Sequence, residues 1–238
     1  MLEAFMWGAV AASSLLIGAV IARIHTPHKI ALGLVMGFGS GVLLSAVAFE
    51  LVEVALGTAD GLGSTTFGLA VGALTFYFGD VAINRFGQAI GPEDEASPMS
   101  IVLGAALDGI PESAVIGLTL LTGEVGVAML VAVFASNLPE SIAASTGLHE
   151  RNWKPKRVYA LWGTIVLASA VSSMAGYGFL DGASPDVIAF VLAFAGGAIL
   201  TMLTTSMVPE AYEYAGRKVG LITTLGFAFA VGINWLEG

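Results

Sequence analysis

Eight runs of about 20 predominantly apolar residues, parted only by short polar clusters, leave this chain very few folds to adopt. A run of that length crosses the hydrocarbon of a bilayer as a helix, the conformation that pairs its backbone N–H and C=O groups within the segment. The runs fall at 4–23, 30–56, 64–84, 100–121, 125–147, 157–180, 187–212 and 219–236, and nothing of domain size lies between them. With 56% of 238 residues hydrophobic and only 11% charged, the composition excludes a soluble domain of this size. The expectation is an all-α membrane protein of eight transmembrane helices in a single domain.

The formal net charge of −9 matters less than where the cations fall, because the orientation of a membrane protein follows Lys and Arg. Placing the N-terminus outside makes 23–29, 85–99, 148–157 and 213–218 the cytoplasmic connections. They hold Arg23, Lys29, Arg85, Arg151, Lys154, Lys156, Arg157, Arg217 and Lys218, all nine basic residues of the chain. One missed or invented span would scramble that segregation. It therefore supports eight spans in a cell (inner) membrane with both termini extracytoplasmic. Glu3 stands where a signal peptide would carry positive charge, so the first run reads as a retained span. With no cysteine, disulfides and thiolate ligation are excluded.

The chain also repeats itself. Without gaps, 37–55 aligns with 193–211, matching Phe38 to Phe194, Gly41 to Gly197, Leu44 to Leu200 and Ala55 to Ala211. Ala70-Val71-Gly72 echoes Ala230-Val231-Gly232, and LDGIPESA (107–114) echoes SNLPESIA (136–143) in the next span. The members of the first pairs are five spans apart, an odd displacement, and those of the last pair are adjacent, so each correspondence implies opposite directions in the membrane. Together they predict a 3+2+3 inverted repeat: three helices over 4–84, a central Pro-Glu pair over 100–147, and three helices over 157–236. Secondary transporters are commonly built this way, with the binding site at mid-depth where helices are interrupted.

An ionisable residue in the membrane is costly and is by default a functional candidate. Asp108 and Glu112, four residues apart, share one face of the fourth span; Ser136 and Asn137 lie on the same side of the fifth as Glu140. Pro111 and Pro139 precede the two glutamates and leave the carbonyls of Leu107 and Ala135 without their helical donors. No Lys, Arg or His is expected at mid-depth. The predicted site is thus an oxygen-rich, acidic centre for a hard divalent cation, made by Asp108, Glu112, Ser136, Asn137 and Glu140. Glu50, Glu53, Glu210, Glu213 and Asp80 read as vestibule or helix-end residues. His25, His28 and His149 read as solvated loop residues, and Glu93, Asp94 and Glu95 as a weak cation-collecting loop. Gly33, Gly37 and Gly41 keep one face of the second span small for close packing, within the chain or in a dimer.

These residues resemble the ZIP family of metal transporters, whose pattern is eight spans, outside termini, a 3+2+3 plan and Pro-Glu motifs in the fourth and fifth spans. The resemblance implies a mononuclear or binuclear site at Glu112 and Glu140, passage of Mn, Fe, Zn or similar ions toward the cytoplasm, and a homodimer. Asp108 stands where the family usually has His, Gly109 where it has Asn, and Ser136 where it often has His. Oxygen in place of imidazole moves the expectation toward Mn(II), Fe(II) or Mg(II). The metal is then the transported substrate, and no cofactor or nucleic-acid partner is expected. Alternatives are a proton-linked carrier of a small organic cation and a transport-inactive metal sensor. An intramembrane aspartyl protease would need Asp80 and Asp108 at one depth, which their positions along the spans argue against, so no enzyme is expected.

Overall fold

A computed structural model describes residues 1–25, 27–90, 98–120 and 126–237. Among them the chain is helical, without strands, in eight long helices: α1 (Leu2–Ile24), α2 (Lys29–Thr58), α3 (Leu62–Ile90), α4 (Pro98–Thr119), α5 (Val127–Glu150), α6 (Pro155–Leu180), α7 (Pro185–Ala215) and α8 (Lys218–Glu237). Seven are long and apolar enough to cross a membrane by length and composition over their described residues, and α4, at 22 residues, is the eighth long helix. The apolar runs therefore mark the helices to within a few residues. The main difference is at α3, where the expected loop from 85 begins inside a helix that continues to Ile90. Glu93, Asp94 and Glu95 lie outside the described residues.

Local chemistry sets the helix ends. Pro155 and Pro185 open α6 and α7, where a missing N–H costs nothing because the first turn has no intrahelical acceptor for it. Gly216, at φ +63°, ends α7 in a backbone conformation that a side chain disfavours. Two helices change pitch midway: α2 is π-helical over Val47–Val52 and α7 over Leu203–Met207. Such widened turns occur mostly as single-turn insertions in α-helices, frequently at functional sites.

The helices close on one another at glycines. Gly41 of α2 lies against the carbonyl of Thr223 in α8, and Gly226 of α8 against the carbonyl of Phe38. The same exchange joins α3 and α7, where Gly72 meets the carbonyl of Phe194 and Gly197 that of Leu69. A Cβ at any of the four would overlap the facing carbonyl oxygen. In a membrane, where lipid is as apolar as leucine, such contact is what association of helices rests on. Gly33 and Gly37 abut Tyr214 and Val219, so the small face of α2 is used within the chain. Hydroxyls add polar glue: Ser173 of α6 donates to the carbonyl of Ala4 in α1 at 2.7 Å, and Ser145 Oγ of α5 accepts from Trp162 Nε1 of α6 at 2.8 Å.

The outer surface carries large apolar side chains in the open, among them Phe67, Leu74 and Phe78 on α3 and Leu221 and Leu225 on α8. Such an extent of exposed hydrocarbon is an interaction surface. On eight long apolar helices it is the surface of a multi-pass membrane protein.

Candidate ion site at the centre of the bundle

Halfway along α4 and α5, the Pro-Glu segments face a cavity of about 100 Å³. Asp108 and Glu112 enter it from α4, Ser136 and Glu140 from α5. The spacing explains the pairing, since residues four apart stack on one helix face. Four of the five residues expected from the sequence are thus brought to one wall. Asn137 is buried but does not line the cavity.

The fourth carboxylate comes from a residue that the sequence reading set aside. Glu210 of α7 lines the same cavity, with Ser206 and Met207 beside it; Met202 of α7 and Met36 of α2 complete the wall. The π-helical turn at Leu203–Met207 lies between Met202 and Glu210. The missed signal was Pro209-Glu210, a further Pro-Glu within an apolar span. Glu210 is also held from outside the cavity, because Tyr214 Oη donates to its Oε1 at 2.8 Å.

Glu112 is the most demanding group in the site. It is 1% exposed, and its Oε2 is buried without a hydrogen-bond partner. A carboxylate oxygen in that position costs several kcal/mol in hydrocarbon, of order 3, unless a cation or a proton meets it. The four carboxylates line one space without converging: among the described residues no three His, Asp or Glu side chains are grouped closely enough to hold a single ion.

Of the two backbone oxygens freed by proline, that of Ala135 is taken up in helix packing. The carbonyl of Ala135 lies against Gly39 of α2, where a Cβ would come within 2.9 Å of it, so it is packed against a neighbouring helix. The carbonyl of Ile110, which Pro111 does not free, accepts from Ser172 Oγ of α6 at 2.8 Å.

A second cavity, of about 370 Å³, shares Glu140 and Glu210 with the first. It runs between small residues, Gly104, Ala143, Ala144 and Gly147, to Arg151 just past the end of α5. The two glutamates thus stand between the acidic centre and the end of the bundle where the basic residues gather.

Glu50 has a different task from the one expected. From the π-helical turn of α2 its Oε2 accepts the backbone N–H of Met129 at 3.1 Å, in the first turn of α5. It caps the positive end of that helix. Glu53 and Glu213 are exposed, as helix-end carboxylates should be. Gly79 of α3 lies 3.2 Å by its would-be Cβ from Leu107 of α4, so Asp80 and Asp108 are neighbours in depth, contrary to their positions along the spans. Asp80 nevertheless does not line the cavity. His149 is half-buried in the last turn of α5, not in a loop.

Compared with known families and with curated proteins, the chain matches none.

Proposed function

We propose that this chain is a divalent metal transporter of the ZIP type, which carries ions such as Mn(II), Fe(II) or Zn(II) toward its basic, cytoplasmic end. The observation that carries the reading is the buried Glu112 carboxylate, with an unsatisfied oxygen, on a mid-depth cavity shared by Asp108, Glu140 and Glu210. Four acidic groups without a lysine, arginine or histidine on the same wall favour a multiply charged cation.

The size and lining of the cavity narrow the substrate. About 100 Å³ holds an ion with several waters, given that a water needs about 15 Å³ measured in this way. It is small for an organic cation, and among the described residues no aromatic ring lines it. The thioethers of Met36, Met202 and Met207 are softer ligands than oxygen and add affinity for transition metals over Mg(II).

Alternating access through an inverted repeat is part of the same reading. The π-helical turns begin at Val47 and Leu203, separated by the 156 residues that align Gly41 with Gly197. The swapped glycine contacts support it independently, and they make Gly226, not Gly232, the counterpart of Gly72. Among the described residues nothing lies within 4 Å of a Cβ placed at Gly232. The cavity leading from Glu140 and Glu210 to Arg151 fits a state open toward the basic end. Since α2 spends its small face on α7 and α8, a homodimer would form through another surface.

The test is metal uptake by proteoliposomes over Mn(II), Fe(II), Zn(II), Cd(II), Co(II) and Mg(II), for the wild type and for Glu112→Gln, Glu140→Gln and Glu210→Gln. The expected result is saturable flux that each substitution lowers at least about tenfold, which is a loss of about 1.4 kcal/mol at the site. Absence of flux for every metal, from protein shown to be folded, would overturn the proposal and favour a sensor.

A further inference from the structure

A third pocket, opposite in charge to the acidic cavity, opens where α1, α5 and α6 end or begin, and has a volume of about 470 Å³. Arg23 lines it from the last turn of α1, His149 from the last turn of α5, and Asn152, Trp153 and Lys154 from the turn into α6. Among the described residues no carboxylate lines it; Glu150, next to His149, is exposed and lies off the wall. Among the described residues neither Arg23 nor Lys154 has an ion-pair partner. The His149 Nε2 is buried without a hydrogen-bond partner.

The turn that holds half of this pocket is hydrogen-bonded to the end of α5. Asn152 takes φ +61°, the left-handed conformation that Asn tolerates better than most side chains. Its N–H donates to the carbonyl of His149 at 2.9 Å, and that of Trp153 donates to Leu148 at 3.0 Å. These paired bonds form a Schellman motif, closed by the apolar packing of Trp153 in the cluster that contains Leu148. Pro155 then starts α6 at once, with its positive end at the pocket. The carbonyl ends of α1 and α5 would oppose an anion, but those of Ile21, Leu148 and His149 are occupied by N–H donors.

A guanidinium, an ammonium, an amide and an indole around one space match the chemistry of a phosphate group, which accepts on every oxygen and carries negative charge. Helix ends with a tryptophan belong at the membrane–water boundary, where phosphates are the headgroups of lipids. We propose that this pocket binds one phosphate group, presented by the headgroup of an anionic phospholipid. The inference is independent of the transport reading, since it shares no residue with the acidic cavity.

The test uses the purified full chain in a neutral detergent, with lipid retention read by native mass spectrometry. Phosphatidylglycerol is expected to be retained about tenfold over phosphatidylcholine, whose choline cation would meet Arg23 and Lys154. The double variant R23Q/K154Q should lose that preference, while R217Q/K218Q, basic residues outside the pocket, should keep it. Both residues replaced in the first variant are exposed, and an unchanged melting temperature without lipid verifies its fold. In a second arm, inorganic phosphate is titrated without lipid. Stabilisation at millimolar phosphate that R23Q/K154Q abolishes, without a phospholipid preference, would keep the phosphate site and assign it to a soluble ligand. Equal retention by wild type and double variant, with no phosphate effect in either, would overturn the proposal.

Discussion

Glu112, Glu140 and Glu210 each follow a proline, each sits in an apolar helix, and all three line one cavity with Asp108. Three methionines share that cavity, and their sulfurs are the residue-scale feature most open to test. Replacing Met36, Met202 and Met207 together by leucine conserves volume and removes only the thioethers. Competition between Cd(II) and Mn(II) in the uptake assay should then move toward Mn(II), several-fold; an unchanged ratio would mean that the sulfurs do not meet the ion. Glycines give a second test. Gly226→Val should destabilise the fold by about 1–3 kcal/mol, the cost of forcing extra atoms into a packed contact, because its side chain would enter the carbonyl of Phe38. Gly232→Val should be tolerated, since the space around it is open. Thermal unfolding in detergent compares the two. The sequence echo of Ala70-Val71-Gly72 in Ala230-Val231-Gly232 would have ranked them the other way, because small residues align easily and only the contact tells which glycine is used.

At the scale of the helix, the two π-helical turns aim side chains that regular pitch would place elsewhere. The one in α7 lies between Met202 and Glu210, both of which reach the cavity. The one in α2 carries Glu50 to the start of α5. That contact joins a carboxylate to the positive end of the helix that bears Pro139 and Glu140. Glu50→Gln keeps the shape and removes the charge, and should cost about 1 kcal/mol of stability, the usual worth of a cap with its helix-dipole term. Hydrogen exchange should quicken in the first turn of α5 and leave its second half unaffected. Protection unchanged at Met129 would show that the cap is dispensable. Nothing in local sequence announces a π-helical turn, so Glu50 read as a vestibule residue until its partner, 79 positions away, was visible.

For the whole molecule, the order of cavities makes a directional claim. The passage from Glu140 and Glu210 to Arg151 should admit water from the basic end of the bundle. Because the chain has no cysteine, a single Ala144→Cys reports without background. A membrane-impermeant thiol reagent should modify it from the side that holds Arg151, and transported metal should slow the reaction. Modification from the opposite side alone would reverse the proposed orientation.

Length and apolarity fixed much in advance. Eight runs of about 20 apolar residues can only be satisfied as helices in lipid, and the helices of the structure fall on them. Periodicity of four likewise put Asp108 with Glu112, and Ser136 with Glu140, because neighbours on a helix face follow from backbone geometry alone. What the tertiary structure decided is which faces meet. Glu210 joins the cavity, the carbonyl of Ala135 turns against Gly39, Asn137 is buried off the wall, and Arg23 and Lys154 line one pocket. Each depends on a contact between helices distant in the chain. Helical periodicity orders a side chain relative to its own axis, whereas the partner of that face is set by small-residue packing between axes, which no single segment encodes.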